Sequence, residues 1–459
     1  MKKILFGLAV ICFVQLISSC NTNKSKADLS ENVPVINANP IKDRTVNKTS
    51  GAEEAMKMEF AMTKDVKLGY VPSDRLVRAV DNALAARRSG VVSRVSALNW
   101  VERGPNNNSV GPSNGNIRGP SNDAVTSGRM RAIWIDLADP TSQTVWIGSV
   151  SGGLWKTNNI SINPANWILV NDFLGNLAVT SICQDPTNTN IMYFGTGEKT
   201  VNADAVRGGG IWKSTDHGVT WNLLPNTTGF WNVSRVLCDA AGNVYVATIG
   251  NFGIQRSTNG GASWTSITPT GLTTRVTDMR ISNTGRMHIV CGYRNVGTSG
   301  YRYTDNPSTV TENSWTEPVT TFPTAFNSEL AVSGNILYVL PANSSYRTPT
   351  IYKSIDGGAN WAQTTTSPPG GASEPTINAS QGWFDLAIGI DPTDPNVVIA
   401  GGLNFYRTLN GGETWSQITR WVGNTINYVH ADHHAVVWNG SQVLLATDGG
   451  IFYSINGGT

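Results

Sequence analysis

The chain has 459 residues, a formal net charge of +2, and charged side chains at only 14% of positions. A near-neutral chain of this kind offers no general electrostatic surface for nucleic acid or an acidic membrane, and the length suits one large repeat domain or two ordinary ones. The 47 glycines and 15 tryptophans point to a many-turned all-β protein with large apolar anchors.

The N-terminus reads as a leader over residues 1–19. Lys2 and Lys3 supply charge, and the apolar run over 4–17 is too short for a comfortable bilayer span. It closes in Leu16-Ile17-Ser18-Ser19-Cys20, which resembles a bacterial lipobox. The resemblance implies cleavage before Cys20, lipidation there, and a cell-envelope, outer-membrane or surface location. Membrane contact would then run only through the lipid. The other reading is an ordinary secretory signal ahead of a chance cysteine. Residues 20–97 form a polar tether with one helix at about 72–88. Leu76, Val80 and Leu84 share a face of that helix, Pro72 opens it and Gly90 can end it. Of the five cysteines, Cys183, Cys238 and Cys291 fall in β-like runs beyond the leader. An odd number in such runs reads as small buried hydrophobes rather than a disulfide framework. No metal-ligand spacing is present, and no cofactor is expected.

After a Gly/Pro/Asn/Ser-rich loop over 104–127 the pattern becomes regular. Each unit has two apolar strands, a Gly-rich link, and a hairpin centred on an octet. The octets are Ser214-Thr215-Asp216-His217-Gly218-Val219-Thr220-Trp221, Ser257-Thr258-Asn259-Gly260-Gly261-Ala262-Ser263-Trp264, Ser354-Ile355-Asp356-Gly357-Gly358-Ala359-Asn360-Trp361 and Thr408-Leu409-Asn410-Gly411-Gly412-Glu413-Thr414-Trp415. A fifth, from Ser454 through Asn456, meets the end of the sequence at Thr459. The acidic residue is expected to brace an Asx turn one or two residues on, with glycine supplying positive φ. Asn replaces Asp at 259, 410 and 456, so this position reads as structural: an amide oxygen still accepts hydrogen bonds but cannot act as a carboxylate. An eroded copy lies around Tyr303-Thr304-Asp305 and Trp315, and Trp167 stands in for the anchor of the first unit. Anchors at Trp221, Trp264, Trp315, Trp361 and Trp415 are 43 to 54 residues apart, the length of a four-stranded propeller blade.

These octets resemble the Asp-box (bacterial neuraminidase) repeat of β-propellers such as sialidases, sortilin and xyloglucanase-type endoglucanases. The resemblance covers about 98–459 and implies an all-β, seven-bladed propeller of four-stranded blades, preceded by a short helical or disordered tether. The units start near 129, 178, 233, 276, 328, 384 and 432. The last lacks its outermost strand. Asn99-Trp100-Val101-Glu102-Arg103 is expected to supply it, with Trp100 as the anchor; the rival reading is a fragment of a longer protein, and the two are compatible. Stretches such as Gly128-Arg129-Met130-Arg131-Ala132 and Gly148-Ser149-Val150-Ser151-Gly152-Gly153 also resemble large surface or secreted proteins of Bacteroidetes-like bacteria.

Three clusters carry possible chemistry. In His430-Ala431-Asp432-His433-His434 an extended strand would put His430, Asp432 and His434 on one face, to bind a metal, hold a ligand, relay protons or brace the channel. Asp448 follows on the same blade. Arg129 and Arg131, at alternate positions, could grip an anionic group or brace the channel against Asp278, Glu329 or Asp385. The loop from Glu198 through Asp204 and Arg207 could overhang a site.

The family resemblances imply different uses for these residues. A sialidase-like site would need a Phe/Tyr-Arg-Ile-Pro motif, which is absent. A xyloglucanase-type site would use two opposed carboxylates; Glu198, Asp385, Asp432 and Asp448 are the candidates. Those enzymes carry an Asp two residues before a Gly-Gly pair in the first blade, and here that position is Val150. A sortilin-like propeller would hold a glycan, peptide or protein without turnover. The main expectation is therefore an envelope lipoprotein that binds a glycan or protein ligand through its channel face, with Arg129, Arg131, His430, Asp432 and His434 as contacts. The alternative is a glycoside hydrolase.

Overall fold

The computed structural model describes residues 126–171, 174–200, 205–368, 376–421 and 426–458, with 64–70 and the single positions 61, 75, 78 and 82 ahead of them. The leader, Cys20, the strand expected around Trp100 and Asp204 lie outside the described residues. Of the helix expected at 72–88, Arg75, Arg78 and Asn82 are described, and all three are helical.

Seven antiparallel sheets follow one another in chain order, and each is a simple up-and-down meander. Their first strands are Met130–Ile135, Val179–Gln184, Val233–Cys238, Val276–Ile281, Asn327–Ser333, Ala387–Ile390 and His433–Asn439. Each first strand packs beside the next, and that of blade 7 packs against that of blade 1, so the ring closes. The closing seam is apolar: Met130, Ile133, Val145 and Ile147 of blade 1 meet Leu444 and Ala446 of blade 7. This is a seven-bladed β-propeller. Among the described residues, blades 4 and 7 have three strands and the others four.

The second strands show why the sequence folds this way. Val145–Ser149, Met192–Thr196, Val244–Thr248 and Met287–Cys291 are buried along their whole length. Each sheet is covered on both faces by its neighbours, so its central strands are continuous apolar runs rather than alternating ones. Gly148 and Gly195 sit where the next blade comes closest. A methyl group at either would collide with Val179 or Val233, respectively, the first residue of the following blade.

The octets form the turn between third and fourth strands, and their bonding is the same each time. Ser354 Oγ donates to Asp356 Oδ1 at 2.8 Å and accepts from the Gly358 N–H at 2.9 Å. Asp356 Oδ1 also accepts from the Asn360 N–H at 2.9 Å. The acid thus reaches four residues on, and the Ser hydroxyl closes the middle of the turn. This differs from the expected Asx turn because the two positive-φ residues, Gly357 (+70°) and Gly358 (+88°), curl the chain back under the side chain. His217, at φ +57°, takes the first of these positions in the 214 octet.

The Asp/Asn exchange is matched by the partner four residues on. Asp216 Oδ2 accepts from Thr220 Oγ1 at 2.6 Å, and Asp356 Oδ2 from Asn360 Nδ2 at 2.8 Å. Asn259 Nδ2 and Asn410 Nδ2 instead donate to Ser263 Oγ and Thr414 Oγ1, at 2.8 and 3.0 Å. A hydroxyl can play either role. The eroded copy in blade 4 does not brace a turn in this way: Asp305 pairs with Arg286 at 2.6 Å, and Trp315 Nε1 donates to the Ile267 carbonyl of blade 3 at 2.7 Å.

Each octet is seated on the blade before it. Trp221 stands edge-on to Trp146 with ring centroids 6.5 Å apart, and Trp361 edge-on to Tyr301 at 5.3 Å. Lys213 Nζ, Arg286 Nη1 and Arg407 Nη1 donate across the gap to the carbonyls of Gly260, Gly357 and Gly457 at 2.8, 2.9 and 2.7 Å.

A side chain at Gly358 would meet Tyr301 Oη and would also occupy φ +88°, whereas one at Gly250 meets no heavy atom within 4 Å. Gly358→Ala is expected to destabilise by about 2 kcal/mol or more, from strain and overpacking together. Gly250→Ala should stay within about 0.5 kcal/mol. Urea denaturation of both variants checks this; equal midpoints would be the contrary result.

Candidate functional site

The turn between second and third strands and the link into the next blade lie at one end of the ring; the other two turns of each sheet lie at the opposite end. The octets therefore sit at one end. At the other end gather Arg129 ahead of blade 1, Glu198 between strands of blade 2, Asp385 ahead of blade 6, and Asp432 and Asp448 of blade 7. Asp216, Asn259, Asp356, Asn410 and Asn456 are kept apart from these groups by the length of the strands.

Two bulges aim the central side chains. In blade 1 Met130 pairs with Ser149 and Ala132 with Gly148, leaving Arg131 outside the ladder. In blade 7 His433 pairs with Thr447 and Ala435 with Ala446, leaving His434 outside it. A bulged residue is turned away from regular alternation, and here the two meet: Arg131 Nη1 lies 2.9 Å from His434 Nδ1. Arginine only donates, so Nδ1 accepts and the His434 proton sits on Nε2, which donates to Asp448 Oδ1 at 2.6 Å. Burial, together with Arg131, holds His434 down at about 3, so the ring is neutral at ordinary pH despite Asp448 beside it.

The arginines are gripped from both sides. Arg129 Nη1 lies 2.9 Å from Glu198 Oε1, and its Nε lies 2.9 Å from Asp448 Oδ1. Arg131 Nη2 lies 3.3 Å from the same Glu198 oxygen. Both guanidiniums lie over the Phe384 ring, 4.9 and 4.7 Å from its centroid. Glu198 is wholly enclosed, with no exposed surface. The bracing acids are thus Glu198 and Asp448 rather than Asp278 or Glu329. Those two join a separate network. Arg235 reaches Asp278 at 2.6 Å and Glu329 at 3.3 Å; Arg280 reaches Asp278 at 2.9 Å; Lys199 pairs with Glu329. Burial alone would raise Asp278, but Arg235, Arg280 and Lys199 outweigh it and hold the carboxyl at about 2.

Two carboxyls stand outside these pairings. Asp385 is fully buried, and neither of its oxygens has a hydrogen-bond partner. Burial, and then the nearby Asp432 carboxylate, push it well above the usual carboxylate range. Asp432 is partly exposed, but its Oδ1 is buried without a partner. Burial, and then Asp448, push it up to about 7 against the pull of Arg129 and Arg131. For Asp448 the balance falls the other way: burial raises it, but the His434 hydrogen bond and the two arginines bring it below its ordinary value. Neighbouring carboxyls thus hold different protonation states near neutral pH.

The expected shared face of His430, Asp432 and His434 does not form. The strand begins only at His433, and Asp432 has φ +60°, which breaks the extended alternation. His430 Nδ1 faces the Ala431 carbonyl at 3.0 Å. His433 stacks on Phe405 with ring centroids 3.5 Å apart. Among the described residues, no group of three or more His, Cys, Asp and Glu side chains is arranged to hold a metal ion. Val150, in the turn of blade 1, is buried, and its N–H donates to the Arg129 carbonyl at 3.1 Å. The sequence reading missed Phe384, the platform under both arginines. Its position directly before Asp385 was the available signal.

No family model matches the chain. A xyloglucanase of Hypocrea jecorina (strain QM6a) is 24% identical over 297 residues, covering 62% of this chain and 30% of that protein. A xyloglucanase of Paenibacillus sp. is 25% identical over 309 residues, covering 57% and 29%. The chain thus spans about 30% of the length of these curated relatives. Among solved structures, the GH74 xyloglucanase of Xanthomonas campestris superposes with a TM-score of 0.50 at 16% identity, over 72% of this chain and 52% of that one. That likeness concerns the fold alone.

Two outcomes are expected from the charge arrangement. Glu198→Gln takes the shared anion from buried Arg131 and half-buried Arg129 and should cost about 3 kcal/mol or more, read by chemical denaturation; a cost below about 1 kcal/mol would contradict the bracing role. Asp432 has a folded pKa of about 7 against an ordinary value of 3.8. Below both values the carboxyl is protonated, folded or unfolded, and costs nothing. The unfolded chain then ionises first, so the fold weakens as pH rises from about 4 to about 7 and the penalty stays constant above that. Asp432→Asn should raise the melting temperature at pH 8 and leave it nearly unchanged at pH 4. An equal shift at both pH values would contradict the assignment.

Proposed function

We propose that this chain is a glycoside hydrolase-like propeller that engages polysaccharide at the end of the channel where Asp432, Asp448 and Arg129 gather. The observation that carries the reading is Asp432. Its backbone is left-handed, one of its carboxyl oxygens is buried without a partner, and the carboxyl keeps its proton up to about pH 7 beside a carboxylate held below its ordinary value. Strain and opposed protonation states of this kind suit a proton donor. The xyloglucanase relatives support a sugar polymer as the ligand.

In this mechanism Asp432 gives its proton to the glycosidic oxygen as the carbon–oxygen bond breaks. Water adds at the anomeric carbon, and its proton passes to an ionised carboxylate. Asp448, oriented by Arg129 and His434, supplies negative charge opposite the developing positive charge of the sugar ring. Arg129, Arg131 and His434 orient the carboxyls, and with His430 they form the wall of the ligand site. In the same reading the octets are Asp-box repeats, and Cys20 is a lipid-bearing residue that holds the propeller at the cell envelope.

A second reading, binding of a glycan or protein without turnover, is favoured by Val150. It puts a buried methyl-bearing side chain where the xyloglucanase-type resemblance implies an aspartate. The engagement of Glu198 and Asp448 by guanidiniums points the same way.

One experiment separates the two. Binding and release of reducing ends are measured on xyloglucan and on a panel of other polysaccharides, for the wild type and Asp432→Asn. Hydrolysis predicts release that falls by about 10²-fold or more in Asp432→Asn while binding persists. The stability expected of this variant at neutral pH separates that loss from unfolding. Binding without release supports the scaffold reading. Absence of both sinks the glycan reading and leaves a protein partner.

A further inference from the structure

The sulfurs of Cys183 and Cys238 lie 3.2 Å apart. They belong to the first strands of blades 2 and 3, which pack side by side around the ring. Cys183 is enclosed and Cys238 is partly exposed; both are free thiols. Around them lie Tyr193, Val233, Val236 and Val244. The contact is between blades, so a bond there would tie one sheet to the next rather than two points of one hairpin. Cys291, in blade 4, is fully buried and has no neighbouring cysteine among the described residues.

We propose that Cys183 and Cys238 are a thiol–disulfide couple that cross-links blades 2 and 3 when the protein meets a disulfide oxidant. A disulfide needs sulfurs about 2.05 Å apart, so closure requires an approach of roughly 1 Å, within reach of small χ1 adjustments of two strand residues. The exposed thiol reacts first. Cys238 loses its proton, and its thiolate attacks one sulfur of the oxidant, releasing one thiolate and leaving a mixed disulfide on Cys238. Cys183 then loses its proton and attacks Cys238 Sγ, releasing the second thiolate. Two cysteines are oxidised by two electrons in all, and one oxidant disulfide is reduced to two thiols. Burial raises the Cys183 thiol well above its ordinary value. The second step is therefore the slow one, and it depends on the closeness of the two sulfurs.

The test treats the full folded chain with oxidised glutathione. The sample is then quenched in acid, unfolded, alkylated, and each cysteine is read by peptide mapping. The expected result is a Cys183–Cys238 linked peptide that reductant abolishes, with Cys291 alkylated as if never oxidised. The urea midpoint of the oxidised protein should be higher and should return on reduction. In Cys183→Ser, which lacks the resolving thiol, glutathione should remain on Cys238. Alkylation of both cysteines after oxidation, or wild-type protein that holds glutathione on Cys238 with Cys183 still free, would overturn the couple. A Cys183→Ser variant that takes up no glutathione would overturn the order of attack.

Discussion

A single hydroxyl that donates and accepts at once closes each octet hairpin. Ser214, Ser257, Ser354, Thr408 and Ser454 give their proton to the side-chain oxygen two residues on, and take the glycine N–H four residues on. That N–H would otherwise lie without a partner in a turn pressed against the preceding blade. Positive φ in the turn lets the backbone lie flat enough for Trp146 or Tyr301 of that blade to reach it. In the blades that carry an octet, outer hairpin geometry and blade-to-blade packing are thus one constraint; blades 1 and 4, which lack it, are held in the ring by apolar packing of their inner strands.

The same topology separates support from chemistry. Each octet closes the turn after a third strand, so all of them face one end of the channel. The links into first strands and the turns after second strands face the other. There the protein concentrates buried charge: two guanidiniums over one phenyl ring, an enclosed glutamate, a neutral histidine with a fixed tautomer, and carboxyls in opposite protonation states. Such a cluster is costly to desolvate. It is held by closure of the ring, because its members come from blades 1, 2, 6 and 7. No single blade could position Arg131 against both Glu198 and His434.

Much of the fold was legible locally. The octet spacing follows from the length of four short strands, and the Asp/Asn exchanges marked the turn position as structural because an amide can do the bonding but not the acid chemistry. The histidine cluster was legible as polar residues at the channel but not in its geometry. Alternation assumes an extended chain, and Asp432 leaves that conformation one residue before the strand begins. Arg131 and His434 escaped the same rule, since a bulge is a property of two paired strands rather than of either sequence. The three cysteines read as unrelated small hydrophobes because Cys183 and Cys238 stand in different repeats; only the neighbouring of successive first strands brings their sulfurs together.

By itself, the order of residues determined the number of blades, their all-β character, the turns that need glycine, and which acidic residues are braces. These depend on hydrogen bonds and steric limits within about eight consecutive residues and on their regular recurrence. Tertiary structure alone decided which charges pair, which carboxyls stay protonated, and that the octets lie away from Asp432 and Asp448. Those outcomes depend on distance and burial across the closed ring, where residues far apart in the chain share one low-dielectric space.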